Sequence, residues 1–227
     1  MGTSMQVILP EQCDCSKVRT VYLLHGLSDN CTGWTRYTSV ERYARAYQVA
    51  VVMPEVQRSY YTDMACGLPY FTFISEELPR LCSNMFGLPA EGSYMMGLSM
   101  GGYGAMKCVL THPSRYSGCA SFSAVMDIKG SVRKREGRRK AEFRAIFGEK
   151  VPDEDDLHIL LERANAADLP RFLITCGEQD EHLQENRRMA ALLDAKPADC
   201  VFQSWEGGHE WAFWDESVHR AFDYFFA

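Results

Sequence analysis

The chain has 227 residues, of which 46% are hydrophobic and 24% charged, enough apolar content for one substantial core and a better fit to one domain than two. Its net charge of −6 gives no reason to expect nucleic acid as a partner. No apolar run approaches bilayer-spanning length, and the apolar stretch near the N-terminus is too short, and lacks a basic flank, for a signal peptide. A cytoplasmic protein is expected. The nine cysteines are odd in number and irregularly spaced, and several lie in apolar runs, so they read as small hydrophobes in a reducing compartment rather than a disulfide framework. Cys13 and Cys15 are the only close pair, and no Cys or His cluster accompanies them, so no metal ligands are assigned.

Short apolar runs alternate with longer amphipathic ones, the pattern of a mostly parallel sheet with helices on both faces. In chain order the strands are Val7–Leu9 (an optional edge), Val18–Leu24, Val49–Met53, Ser93–Gly97, Tyr116–Phe122, Phe172–Cys176 and Val201–Trp205. The helices are Val40–Tyr47, Phe71–Phe86, Met100–Thr111, Leu157–Ala164, Leu183–Ala195 and Trp211–Phe226, with Pro79 expected to kink or interrupt the second. Residues 127–156 break the alternation. They hold a basic cluster from Lys129 to Lys140 and an acidic one from Asp153 to Asp156. Two readings stand: a solvated helical excursion, or a cap over the sheet's C-terminal edge that helps to select substrate.

Gly97-Leu98-Ser99-Met100-Gly101 matches G-x-S-x-G and lies between a strand and a helix, the context that raises a serine hydroxyl on a tight, strained turn. At a helix start, backbone N–H groups favour developing negative charge. A serine needs a base, and in this architecture the partners follow in the order Ser, acid, His. Of six histidines, His209 follows the last strand in a Gly-Gly turn and is the expected base. His25 and His112 do not fit the order, while His158, His182 and His219 read as helix or helix-start surface residues. The loop after Phe172–Cys176 offers Glu178, Asp180 and Glu181. Asp180, deepest in that loop and short, is the expected acid and Glu178 the alternative. The oxyanion donors are expected to be the N–H groups of Met100 and of Leu27, the latter after the turn at Gly26. His25 is then a structural hydrogen-bonder. Gly104 is expected to let its helix approach the sheet. Trp34, Tyr61 and Trp211 are candidate substrate contacts, although packing behind a loop would equally explain Trp34 and loop bracing would explain Tyr60, Tyr61, Asp63 and Met64. One of Trp205, Trp211, Phe213 and Trp214 is a candidate aromatic wall.

With these residues in place, the chain resembles the esterase-D-like family of α/β hydrolases, which holds tributyrin, feruloyl and acetyl esterases, S-formylglutathione hydrolases and mycolyltransferases. The likeness runs along nearly the whole chain, through Tyr22 to Leu27, Tyr61 to Met64, Ser75 to Pro79, Gly97 to Gly102, Cys176 to Asp180, Gly208 to Trp211 and Phe213 to Asp215. His25 to Leu27 and Gly208 to Trp211 resemble the small tributyrin-esterase-like branch most. The resemblance implies Ser99, Asp180 and His209 as triad, Leu27 and Met100 as oxyanion donors, and hydrolysis of short-chain acyl or aryl esters without metal or organic cofactor. Thioester hydrolysis or acyl transfer would use the same residues, and a non-catalytic binding protein is the remaining alternative. The partner expected is a small-molecule ester; a homo-oligomer is compatible with the branch.

Overall fold

The computed structural model describes residues 2–11, 14–196 and 198–227. A seven-stranded sheet forms the centre, from β1 (Met5–Ile8), β2 (Arg19–Leu24), β3 (Val49–Pro54), β4 (Ser93–Leu98), β5 (Tyr116–Phe122), β6 (Arg171–Thr175) and β7 (Cys200–Gln203). Its order is β1-β3-β2-β4-β5-β6-β7, with β1 antiparallel on the edge and every other pairing parallel. All six longer runs expected as strands form, and the optional edge strand forms two residues earlier than expected. Side-chain alternation assigns each strand residue to one of two cores. Tyr22, Leu24, Val52, Met95 and Ile174 face α5 (Met100–Thr111), α8 (Leu157–Arg163) and α9 (Leu183–Ala195), whereas Val21, Leu23, Val51, Met96 and Leu173 face α2 (Val40–Tyr47) and α10 (Trp211–Phe226). Both faces being covered, the central strands are largely apolar, as is usual for parallel strands, with Thr20, Ser121 and Thr175 among the buried exceptions.

The chain turns one way from β2 to β3 and the other way from β4 onward. The reversal opens a crevice between the C-terminal ends of β2 and β4, which run side by side with Leu24 opposite Gly97. The loops after both strands therefore meet at one point of the sheet edge.

Pro79 acts one turn earlier than its own position. The helix runs from α3 (Tyr70–Thr72) through a π turn, Phe73–Glu77, into α4 (Leu78–Phe86). Leu78 N–H bonds to Phe73 O, five residues back, and Pro79 sits in the first turn of α4, where its missing N–H costs nothing. The Ser75 carbonyl, which would face the proline ring in a regular helix, accepts from Arg115 Nη1 at 3.4 Å.

Residues 127–156 hold α6 (Ile128–Arg133), α7 (Gly137–Phe147) and a 3-10 turn, Asp153–Asp155; a short α1 (Gly33–Tyr37) was not anticipated either. This segment is more than a solvated excursion. Phe143, Ile146 and Phe147 enter the core, and Ile146 O and Ala145 O accept from Ala65 N and Cys66 N at 2.9 and 2.8 Å. Within the acidic cluster, Asp156 caps α8 through His158 N at 3.0 Å, and buried Asp155 pairs with buried Lys107 of α5.

Cys31, Cys82, Cys108, Cys119 and Cys176 are buried free thiols. Burial pushes the Cys108 and Cys176 thiols up to about 12, so they behave as apolar filling. Of the close pair, Cys13 lies outside the described residues. No helix among those described is long and apolar enough to cross a membrane.

Candidate active site

Ser99 stands between β4 and α5 with φ +52° and ψ −114°, a conformation an L-residue holds only when its surroundings impose it. The imposing contacts are visible. A Cβ on Gly101 would lie 2.3 Å from Leu24 O, and one on Gly97 would lie 2.5 Å from the Gly101 backbone, so strand, turn and helix fit only with bare backbone there. Gly101→Ala is accordingly expected to cost roughly 1–3 kcal/mol or more, as an overpacked site does, because the contact is with main chain that cannot rotate away. A thermal melt, read beside ester turnover, checks this; an unchanged midpoint would count against the turn geometry. Gly104 plays a different part from the one expected: its missing side chain admits the ring of Tyr61, not the sheet.

His209 reaches Ser99 from the loop after β7. Its Nε2 lies 3.1 Å from Ser99 Oγ, and its Nδ1 lies 2.9 Å from Asp180 Oδ2. Since Asp180 accepts at Nδ1, the neutral imidazole carries its proton there and leaves Nε2 free to accept from the serine hydroxyl. The loops bearing acid and histidine are tied to each other: Gln179 N donates to Gly207 O at 3.0 Å, Gly207 N to Gln179 Oε1 at 2.6 Å, and Glu178 N to Trp205 O at 2.9 Å. Glu178 is exposed, so Asp180 alone of the loop's candidates is in place.

The Asp180 side chain is fully buried. Burial raises its pKa, but the bond to His209 and the His182 N–H at 2.9 Å on Oδ1 outweigh that, and the carboxyl lies below its ordinary range. It stays charged throughout neutral pH. His182 differs from the surface residue expected. Its side chain is 12% exposed, its ring packs edge-on at 5.4 Å from that of His209, and its Nδ1 is 3.7 Å from Glu185. Asp180, His182 and His209 bring ligand atoms within 4.8 Å of one another; a metal ion held there would draw the imidazole away from Ser99.

Around Ser99 an open cleft of about 410 Å³ is lined by Gly26, Leu27, Asp29, Leu98, His209, Glu210, Trp211 and Trp214. Leu27 lies inside a turn closed by Asp29 N on Gly26 O at 3.2 Å, and Met100 opens α5, where helix N–H groups lack intrahelical acceptors. Trp214, nearly buried, meets the His209 ring edge-on at 4.9 Å and is the base's aromatic backing. Its position five residues after His209 was the available signal. Asp29, whose carboxyl burial lifts above the ordinary range, gave no signal beyond lying in a polar loop.

Two expected substrate contacts lie elsewhere. Trp34 is fully buried, donates from Nε1 to Leu24 O at 3.2 Å and packs behind Trp211 at 5.4 Å. Tyr61 is fully buried too, its hydroxyl donating to His25 O at 3.0 Å. Both brace the chain that leads into the Gly26–Asp29 turn; of the three, Trp211 alone lines the cleft. His25 is structural as expected, its Nε2 accepting from Val56 N at 3.2 Å and its Nδ1 donating to Gly26 O at 2.8 Å. Asp63 holds Thr72 by two bonds. No residue of 127–156 lines the cleft.

Comparison with known proteins places this arrangement. Residues 2–225 match the family model described as "Putative esterase". The chain is 29% identical to an acetyl esterase of Caldicellulosiruptor saccharolyticus over 98% of its own length and 92% of that protein. Among solved structures, FphF, a fluorophosphonate-binding serine hydrolase of Staphylococcus aureus, superposes with a TM-score of 0.89 at 33% identity, covering 99% of this chain and 92% of that one. An S-formylglutathione hydrolase of Staphylococcus aureus superposes with a TM-score of 0.86, also at 33% identity, over 98% and 92% of the two chains.

Proposed function

This chain belongs to that esterase family, and from that premise we propose that it is a serine carboxylesterase acting on small acyl or aryl esters through Ser99, His209 and Asp180. The observation that carries the reading is the unbroken relay of Ser99 Oγ, His209 and Asp180, at 3.1 and 2.9 Å. Ser99 Oγ attacks the ester carbonyl while His209 Nε2 takes its proton, and the carbonyl oxygen becomes an oxyanion facing the N–H groups of Leu27 and Met100. As the tetrahedral intermediate collapses, the imidazolium returns its proton to the leaving alcohol. Water, deprotonated by the same imidazole, then releases the acid from the acyl-enzyme. Asp180 keeps the imidazole in the productive tautomer and balances its charge. The cleft walls, Leu27, Leu98, Trp211 and Trp214, suit a compact acyl group, and openness to solvent lets water enter for deacylation.

A fluorophosphonate probe is expected to modify Ser99 stoichiometrically, and p-nitrophenyl acetate to release a burst of p-nitrophenol before steady turnover. Modification elsewhere, or none, would defeat the assignment. The likeness to an S-formylglutathione hydrolase supports a thioester as second substrate class, and paired acetyl esters and thioesters of equal leaving-group size separate the two.

A further inference from the structure

The basic cluster of the 127–156 segment takes no part in the relay, yet it is not dispersed over solvent. Arg138 and Arg139 of α7, with Arg58 from the loop after β3, line a second cavity of about 680 Å³ whose other lining residues are Ala141 and Glu142. Glu142 is its one acid, and Arg58 already holds that carboxylate through two contacts, the longer being Nη2 to Oε2 at 3.0 Å. Arg58, Arg138 and Arg139 together pull the Glu142 carboxyl below its ordinary range. Arg135 lies outside the cavity's lining but acts on the same neighbourhood. Burial pushes the Tyr60 phenol up to about 12, and Arg135, Arg139 and Arg58 all act against that rise, which brings the three guanidinium groups to one neighbourhood. The Nε of Arg135 is buried without a hydrogen-bond partner. Three guanidinium groups thus share the cavity with one carboxylate.

Two features add to this imbalance. Arg138, Arg139 and Lys140 occupy the first turn of α7, the positive end of the helix, where cations are disfavoured and anions are held. Glu136, at the N-cap, gives no capping bond. The cavity also adjoins the cleft. Arg58 Nη1 donates to Ser28 Oγ at 2.8 Å, and Ser28 lies between Leu27 and Asp29, which line the cleft beside Ser99. The cleft itself carries two carboxylates, Asp29 and Glu210, and neither lysine nor arginine.

We propose that the Arg58, Arg138 and Arg139 cavity is an anion subsite for the substrate, binding a phosphate or carboxylate remote from the ester bond while the uncharged acyl end occupies the cleft at Ser99. The substrate class is then an ester of a small anionic molecule. Guanidinium groups meet such oxyanions in bidentate fashion, and one anion would satisfy both the surplus cations and the open helix end. This inference rests on the esterase reading.

The test compares two acetyl esters of one sugar, identical except for a phosphate on a carbon remote from the ester, and a second pair in which a carboxylate replaces the phosphate. The wild type is expected to favour the anionic member in kcat/KM by roughly tenfold, the effect of two modest charge-assisted contacts, with KM carrying most of it. The preference should shrink as salt is raised. Arg138→Ala/Arg139→Ala, two exposed positions, is expected to remove most of the preference and leave kcat/KM for p-nitrophenyl acetate unchanged. Inorganic phosphate is expected to compete with the anionic ester and not with the neutral one. Equal rates for the two members, or a preference that survives in the double variant, would overturn the subsite and leave the esterase intact. Loss of p-nitrophenyl acetate turnover in the wild type would instead count against the esterase reading. Binding of vesicles containing phosphatidylglycerol that depends on both arginines, without any preference among the esters, would also overturn the proposal in favour of a surface contact.

Discussion

Ser99→Ala is expected to lower kcat for p-nitrophenyl acetate on the order of 10⁶-fold, the scale on which serine hydrolases lose activity when the nucleophile is removed. No other group can take over. Among the described residues, the Ser99 hydroxyl is the oxygen bonded to His209 Nε2, at 3.1 Å. Residual catalysis should remain above the rate in water, because Leu27 and Met100 N–H groups would still polarise the carbonyl. The unfolding midpoint should barely move, since alanine tolerates the backbone no worse than serine. Full turnover by the variant would refute the nucleophile.

Asp180→Asn is the companion, with an expected loss of about 10⁴-fold from the wrong imidazole tautomer. It carries a separate pH signature. The Asp180 carboxyl is held below its ordinary range, so its charge stabilises the folded state above the unfolded value of about 4, and that contribution is lost as pH falls through the folded value. The stability gap between wild type and Asp180→Asn should therefore narrow as pH drops below about 4. Chemical denaturation at pH 7 and pH 3.5 measures it; a gap that widens in acid would contradict the sign.

The second large effect concerns stability. Lys107→Met is expected to cost about 3–5 kcal/mol, the penalty for stranding one member of a buried ion pair. Lys107 is 2% exposed and Asp155 3%, and they are bonded to each other. Lys107 also donates to Thr62 Oγ1 at 3.3 Å and Tyr61 O at 3.4 Å, and lies 4.3 Å over the Phe71 ring. One ammonium thus clasps the nucleophile-bearing helix, the Tyr61 loop and the end of the 127–156 segment. Methionine keeps the stem and removes the charge, leaving the carboxylate with Thr62 alone. At about 2–4 °C per kcal/mol for a chain of this size, the melt should fall by roughly 6–20 °C. Lys107→Met/Asp155→Asn should recover much of the loss, because neither charge is then stranded. A single variant as stable as wild type would show that the carboxylate finds water or another partner.

These expectations divide according to the range of the forces behind them. Strand and helix identities follow from local periodicity, which is why α2, α5, α9 and α10 fall within the limits expected of them. Ser99, Asp180 and His209 were legible for a related reason: each sits on the turn or loop that follows a strand, and the parallel strands bring those loops to one edge of the sheet. Gly97 and Gly101 mark the turn, since a Cβ on Gly101 would strike Leu24 O at the end of β2 and one on Gly97 would strike the Gly101 backbone.

What stayed hidden depends on contacts distant in sequence. Trp34 and Tyr61 read along the chain as either cleft contacts or loop braces, and only burial with hydrogen bonds to Leu24 O and His25 O decides for the brace. The acidic run at 153–156 looks solvated until Lys107, nearly fifty positions earlier, is found against Asp155. His182 reads as a helix-start surface residue until the loop carrying His209 closes over it. Patterning can say that a side chain is apolar or charged and which face of its element it occupies. Which partner it meets there is decided only when the sheet order brings separate segments together, because burial and pairing energies belong to the neighbours as much as to the residue.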